Sequence, residues 1–303
     1  MAAPLPVNQP LLDVLKESNL TIAELNQMLH DGAAEIDRLL PKLIEKNTTG
    51  AKVKAAQLAR VKAELNVALS ALWGDLGRAT RAGVSRAALR GGTAAESVLE
   101  VALGRQGVRI PALEAAYAEQ AKQGVAAILA KAKNGIPLAR SVYRAQALST
   151  GQVDRVVSQG LLLGNNAKAI AKSVKDLIRP DVAGGVSYAA HRLARTEINH
   201  AYQTAQAQRY QNDPWVTAMR WNLSKSHPRP DVCNLNATAP GPKGPGTYSK
   251  GNRPDSHPNC LCYQTPVSVS EEEFFDKFLA GDYNTYIDEV AYTYAEPKDL
   301  LCP

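Results

Sequence analysis

The first part of this chain has very few aromatic residues. Of the 17 Phe, Trp and Tyr residues in 303, only Trp73, Tyr117 and Tyr143 precede residue 180. An Ala- and Leu-rich region with so few rings cannot build the same kind of core as a ring-rich region, so a single uniform globule is not expected. The length allows one large or two modest domains.

Cysteines and long apolar segments are also scarce. Four cysteines in a chain of this length are too few for a disulfide-built scaffold. No uncharged apolar run approaches the roughly 20 residues that cross a bilayer. The first residues lack the charged start and apolar middle of a secretory signal. These absences predict a soluble protein made in a reducing cytoplasm.

Charge is distributed unevenly along the sequence. Residues 51–155 carry 16 Lys or Arg against 7 Asp or Glu, whereas residues 267–303 carry 2 against 9. The basic block is consistent with contact to nucleic acid, an acidic protein or the acidic tail itself, and equally with a solvated helix surface.

Apolar spacing near 3.6 residues predicts helices throughout the first half. Thr21 and Glu24 have the spacing of a capping box, and a stripe follows at Leu25, Leu29, Ile36, Leu40 and Leu43. Pro41 is expected to kink or split this helix. A narrow stripe suited to a partner helix runs through Leu58, Val61, Leu65, Ala68 and Leu72.

Further helices are expected up to residue 178. A second capping box is predicted at Thr93–Glu96 and a helix start at Pro111. Shorter helices are predicted over 140–148, 152–159 and 166–178. These helices carry no catalytic constellation in the sequence, and His30 has no ligand partner nearby. The first half is therefore interpreted as a set of helices that contact other helices.

A long polar helix is predicted over 187–212, and it contains Arg195, Thr196 and Glu197. One interpretation is a site in which His191 and Glu197 exchange protons. The other is that Arg195 and Glu197 tie the helix to a neighbouring β-element by charge-assisted hydrogen bonds. The structural interpretation is favoured because no nucleophile or phosphate-binding loop accompanies the triplet.

After residue 214 the apolar period changes from helical to two. Residues 215–223 and 260–267 are predicted to be strands, separated by some forty residues rich in Pro, Gly and Ser. A loop of that length inside a compact unit needs an internal staple or a partner to order it.

Histidines and cysteines at the two ends of this loop could form the staple. The entry carries His227 and Cys233, and the exit carries His257, Cys260 and Cys262. Three hypotheses stay open: a structural zinc ion on a tetrahedral N/S set, free thiols or a disulfide from Cys233 to Cys260 or Cys262, and a catalytic metal. Cys302 is expected to be a free thiol.

The order of these motifs resembles the head-morphogenesis (minor head protein, Mu F-like) family of tailed bacteriophages. The resemblance spans about 161–267, where the His257-Pro-Asn-Cys260-Leu-Cys262 segment is its most specific element. Arg195-Thr196-Glu197 on a helix supports it. The chain departs from the family pattern at Asn236, where members often carry a ligand, and at Leu261, where Arg is common.

The resemblance implies a structural minor head protein and no enzyme. It would lie in the virion at the portal inside the head, made in the host cytoplasm, and assist head assembly and DNA delivery. The portal protein is the implied partner, with packaged DNA or other copies of the chain as further contacts and no membrane. The expected fold is mainly α with a small α+β module: a helical contact region over 1–160, the module over 161–267, and an acidic helix and tail over 268–303.

Two other functions remain open from the residues alone. One is a metal-dependent nuclease that uses the His/Cys cluster, although Asp231 and Asp255 lie in Pro-rich sequence expected to be flexible. The other is a stand-alone DNA-binding protein, motivated by the basic block. In the acidic tail, Ser270 is predicted to cap a helix that ends at Gly281 and docks by its Phe face or binds a partner.

Overall fold

The chain is mainly α-helical, with one small sheet. The computed structural model describes residues 9–47, 54–102, 111–130, 138–181, 185–225, 227, 230–252, 254 and 256–294. The helices are α1 (Gln9–Asn47), α2 (Ala55–Ala102), α3 (Pro111–Ala130), α4 (Leu138–Leu162), α5 (Ala167–Ile178), α6 (Gly185–Gln211), α7 (Val232–Thr238), α8 (Glu271–Ala280) and α9 (Asn284–Tyr294). The strands are β1 (Val216–Asn222), β2 (Thr247–Tyr248) and β3 (Tyr263–Ser268).

The three strands form an antiparallel sheet in the order β2-β1-β3. Asn222 at the end of β1 pairs with Tyr263 at the start of β3. The segment that follows β1 and the segment that precedes β3 are therefore brought to the same end of the sheet. This confirms the predicted fold class of helices with a small β module.

The chain divides into two compact units, each assembled from separated segments. The sheet unit takes its residues from 1–18, 84–135 and 196–303, and the helical unit takes its residues from 19–83 and 136–195. The division expected near residue 160 lies inside α4 and within the helical unit. The acidic region after 267 belongs to the sheet unit, because its helices complete that unit's core.

The core of the helical unit uses the apolar stripes that the sequence indicates. Leu25, Leu29 and Leu40 of α1 are fully buried, as are Val61 and Leu65 of α2. α4 and α5 pack closely at Gly160, where an added Cβ would lie 2.6 Å from the Ile170 side chain. No described helix is both long enough and apolar enough to cross a membrane.

The core of the sheet unit is built around Trp215. Its ring makes edge-to-face contacts with Phe274, Tyr283 and Tyr286, at centroid distances between 5.3 and 5.6 Å. These rings come from α8, α9 and the turn between them. The Ser270 side chain caps α8 and Gly281 ends it in a left-handed conformation, so the predicted terminal helix and its docking by the Phe face are both present.

Several predicted helix ends fall inside longer helices. Thr21 lies in the middle of α1, fully buried, and Thr93 lies within α2, where its hydroxyl donates back to the Leu89 and Arg90 carbonyls. Pro41 is accommodated within α1 because Leu40 and the apolar residues after it are buried on the same face.

The two short helices predicted on either side of residue 150 form one helix, α4. Between the two predicted helices, the hydroxyl of the buried Ser149 donates to the Ala145 and Gln146 carbonyls of the preceding turn. A serine in this role continues the helix. Gly135-Ile-Pro137, which the sequence predicts to end the helix that starts at Pro111, lies outside the described residues.

Candidate metal centre

The predicted His and Cys residues converge at the end of the sheet where β1 stops and β3 starts. His227 follows β1, Cys233 lies in the first turn of α7, and His257, Cys260 and Cys262 lie in the segment before β3. Pairing of β1 with β3 places the first and last of these segments side by side. Helix α7 bridges them, so residues far apart in sequence meet at one site.

Helix α7 and its cap order the loop that was expected to be flexible. The Asp231 carboxylate accepts a hydrogen bond from the Cys233 backbone N–H at 2.7 Å, and the Asn234 side chain accepts one from the Asp231 N–H at 3.0 Å. This reciprocal capping box fixes the start of the helix and thereby the position of Cys233. Asp255 lies outside the described residues.

Three buried thiols form the centre of the cluster. Cys233, Cys260 and Cys262 are at most 3% exposed, and Trp221 packs against them. The Sγ atoms of Cys233 and Cys260 lie 3.4 Å apart. This is well beyond the roughly 2.05 Å of a disulfide bond, but near the roughly 3.8 Å that separates two sulfurs on one tetrahedral zinc ion. The three cysteines are free thiols in this arrangement.

His227 presents one ring nitrogen to the thiols. Its Nε2–H donates to the Asn234 side-chain oxygen at 2.8 Å, and its Nδ1 lies 3.9 Å from the Cys262 Sγ. The bond to Asn234 requires the proton on Nε2, so Nδ1 carries the free lone pair. A metal-binding histidine is commonly oriented in this way by an oxygen acceptor on its other nitrogen.

His257 is held in the complementary tautomer. Its Nδ1–H donates to the Pro258 carbonyl at 2.8 Å, which leaves the lone pair on Nε2. That atom is buried and meets no hydrogen-bond geometry with a described residue, but it makes a close contact of 2.9 Å with the Oδ2 atom of the Asp231 carboxylate. The ligand atoms of Cys233, His257 and Cys260 lie within 4.8 Å of one another.

These residues could hold a metal ion. The donors are cysteine sulfurs and imidazole nitrogens, the set that zinc prefers. A second group shares the two histidines: the ligand atoms of His227, Asp231 and His257 also lie within 4.8 Å of one another. Asp231 is already engaged as the cap of α7.

Hydrogen bonding among the three thiols shifts their pKa values in different directions. Hydrogen bonds from Cys233 and Cys260 lower the pKa of Cys262 to about 3, against burial, which raises it. The pKa of Cys233 is raised by hydrogen bonding to Cys260 and then Cys262. For Cys260 the bond to Cys233 lowers the pKa, but Cys262 and burial outweigh it and bring the value to about 11. Within the cluster, the pKa of Cys262 is therefore lowered and the pKa values of Cys233 and Cys260 are raised.

Helix α6 fastens the segment that carries the last two cysteines. The Thr196 hydroxyl accepts from the Asn259 N–H at 2.9 Å. The Asn199 amide donates to the Cys260 carbonyl at 2.8 Å and the Cys262 carbonyl at 3.4 Å. Gln203 accepts from the backbone of β3 one turn further along. Positions i, i+3 and i+7 put all three on one helix face.

Within the predicted triplet, Thr196 is the residue that demonstrably binds the β-element. Glu197 is buried at 5% exposure. Arg195 belongs to the helical unit, where burial and then the Arg195 charge lower the pKa of His191. Asn199, one turn after Arg195, supplies a further tie to this segment, which a polar residue on a buried helix face could have signalled.

Comparison with known proteins finds no match for this chain among protein-family models, curated proteins or solved structures.

Proposed function

We propose that this chain is a structural minor head protein of a tailed bacteriophage, located at the portal inside the head. In this role it assists head assembly and DNA delivery and carries no enzymatic activity. Its partner is the portal protein, which the helical unit contacts through its α-helical surface.

One observation carries the proposal. The two motifs on which the family resemblance rests lie more than fifty residues apart, and they are in contact. Thr196 of the first motif binds the backbone of Asn259 in the second, and Asn199, one turn later, binds the Cys260 carbonyl. Contact between the two motifs supports the proposal that they belong to one module like that of the family. The Thr196 and Asn199 side chains are engaged in hydrogen bonds that hold the turn before Cys260, which favours a structural role for the helix.

We further propose that the module is stapled by one zinc ion on Cys233, Cys260, Cys262 and one histidine. The thiols are buried, as in closed structural zinc sites, and each histidine has its second nitrogen bound to an oxygen acceptor. A zinc ion there would replace the core that a Pro- and Gly-rich loop cannot supply.

Co-expression with the portal protein encoded in the same phage genome tests the head-protein proposal. The chain should co-sediment with portal rings and enter assembled particles in few copies. A chain that neither binds portal rings nor enters particles contradicts the proposal.

Contact with packaged DNA belongs to the same proposal. The basic block of residues 51–155 would meet phosphates, so DNA binding should weaken steeply with added salt. A chain that shows no DNA binding at low salt has no such contact.

A metal-dependent nuclease is the second candidate, and one observation favours it. His227, Asp231 and His257 form a partly exposed group that includes a carboxylate, which an open catalytic metal position requires. Plasmid should then be cut in the presence of Mg²⁺, Mn²⁺ or Zn²⁺, and D231N should abolish cutting. Intact plasmid under all three metals removes this candidate.

A further inference from the structure

Helix α4 carries a basic, leucine-containing stripe on its solvent side. At 100° per residue, six exposed positions fall within an arc of about 80°. They are Arg140, Arg144, Leu148, Gly151, Arg155 and Leu162. Leu148 is 74% exposed and Leu162 is 75% exposed, so neither leucine contributes to the core.

The charge of this stripe is uncompensated within the described part of the chain. None of its six positions is acidic, and its three arginines form no ion pair with a described residue. Gly151 lies between Leu148 and Arg155, and nothing lies within 4 Å of where its Cβ would be. A glycine flanked by an exposed leucine and arginine lets another surface approach the helix closely.

Helices α8 and α9 carry the opposite charge in a similar arrangement. In α8, Glu272 and Asp276 lie on the same side of the helix as Leu279, which is 81% exposed. In α9, Asp288 and Glu289 lie one turn before Tyr292, which is 75% exposed. Each helix therefore displays two carboxylates beside one exposed apolar side chain.

The outward direction of these acidic faces is fixed by the core. The opposite sides of α8 and α9 supply rings to the cluster around Trp215. Their carboxylates and their exposed Leu279 and Tyr292 must therefore point to solvent, where large apolar side chains gain by finding a partner.

We propose that the α4 stripe of one copy of this chain docks on the α8–α9 acidic face of a second copy. The arginines lie against the carboxylates, and the exposed leucines meet Leu279 and Tyr292 between them. Charge of one sign around apolar centres on each face is the complementarity that selects a partner and its orientation. The two faces differ, so the contact is head-to-tail and repeats into a ring or an open chain. It does not depend on the proposed phage function.

Charge reversal on the full-length chain tests this contact. The first variant carries R144E with R155E, and the second carries E272R with D276R. Sedimentation velocity of the wild type should show self-association that salt weakens. For each variant alone, self-association should be at least roughly tenfold weaker than for the wild type, because like charges now face each other. An equimolar mixture of the two variants should associate again, because each variant's reversed face meets its complement on the other.

Two controls keep the outcome specific. The variant K54E with R60E has the same change in charge on exposed residues of the helical unit and should associate as the wild type does. Circular dichroism and melting curves check folding, and R144Q with R155Q replaces the first variant if that one unfolds. A wild type that stays monomeric at every concentration overturns the proposal. So does a mixture that fails to associate.

Discussion

The hydroxyl of Thr196 accepts a hydrogen bond from the backbone N–H of Asn259 at 2.9 Å. Asn259 has a left-handed backbone, with φ at 63°, and is the residue that turns the chain between His257 and Cys260. Asn tolerates this conformation better than most residues. The contact therefore holds this left-handed turn in the position that presents Cys260 to Cys233.

Substitution of Asn259 should separate backbone strain from side-chain effects. N259V should lower the free energy of unfolding by about 1–2 kcal/mol, because a β-branched residue is strained at positive φ. N259G should stay within about 0.5 kcal/mol of the wild type. Urea unfolding measures both. Equal midpoints for the two variants would contradict a requirement for the left-handed turn.

Replacement of the cluster residues should identify the metal ligands. Purified under reducing conditions, the chain should hold one zinc ion per molecule by elemental analysis. C233S, C260S and C262S should each lose it, and C302S should keep it. H227A and H257A show which histidine is the fourth ligand, because only the variant that lacks the ligand should lose the zinc ion. Retention of zinc by C260S would disprove the site.

The buried pair of Arg209 and Asp213 should be among the most sensitive positions in the sheet unit. Both side chains are at most 2% exposed, the Tyr286 hydroxyl donates to Asp213, and the Arg209 guanidinium lies 3.0 Å above the Tyr117 ring. D213N should cost about 3–5 kcal/mol of unfolding free energy, because it leaves a buried charge without its counterion.

The exposed pair of Arg38 and Glu35 is the matched control for this prediction. E35Q should leave the urea midpoint unchanged within error, because solvent screens an exposed pair. A D213N protein as stable as E35Q would show that the buried pair contributes little.

Alkaline pH should destabilise the fold through buried tyrosines. Burial and then the charge of Asp213 raise the pKa of Tyr286 well above its ordinary value, and burial and then Asp13 do the same for Tyr202. The folded state therefore keeps protons that the unfolded state releases. Stability is fully present below the unfolded pKa near 10 and falls above it, by up to about 1.4 kcal/mol per pH unit for each tyrosine.

Urea unfolding at pH 8, 10 and 11 measures this dependence. Y286F should reduce the fall between pH 10 and 11, although it is less stable at pH 8 through loss of its hydrogen bond. An unchanged slope for Y286F would show that this tyrosine is not responsible.

Two glycines of α2 should respond in opposite directions to alanine. A Cβ at Gly91 would lie 2.4 Å from the Tyr202 carbonyl oxygen, so G91A should destabilise by about 1–3 kcal/mol. At Gly74 the nearest atom is a flexible Arg78 nitrogen at 3.7 Å, so G74A should stabilise by about 0.5–1 kcal/mol. Melting temperatures compare them, and a stabilising G91A would refute the close approach of α2 and α6.

Part of the fold could be predicted because it depends on neighbours in sequence. The Leu25 and Leu29 stripe, the short helix predicted over 166–178 and the Ser270 and Gly281 ends of α8 follow from spacing and capping chemistry, and the structure confirms them. The breaks expected at Thr21 and Thr93 were wrong, because burial and back-bonding within a helix override a local capping signal.

The sequence by itself determined the helix faces, the strand pair and the five His and Cys residues of the candidate site. Only the tertiary structure decided how they meet: β1–β3 pairing aligns the two ends of the loop, and Asn199 and Asn234 orient them. It also decided that the two units interleave along the chain. Periodicity and caps act within a few residues, whereas these contacts join residues that are distant in sequence, and no local pattern records them.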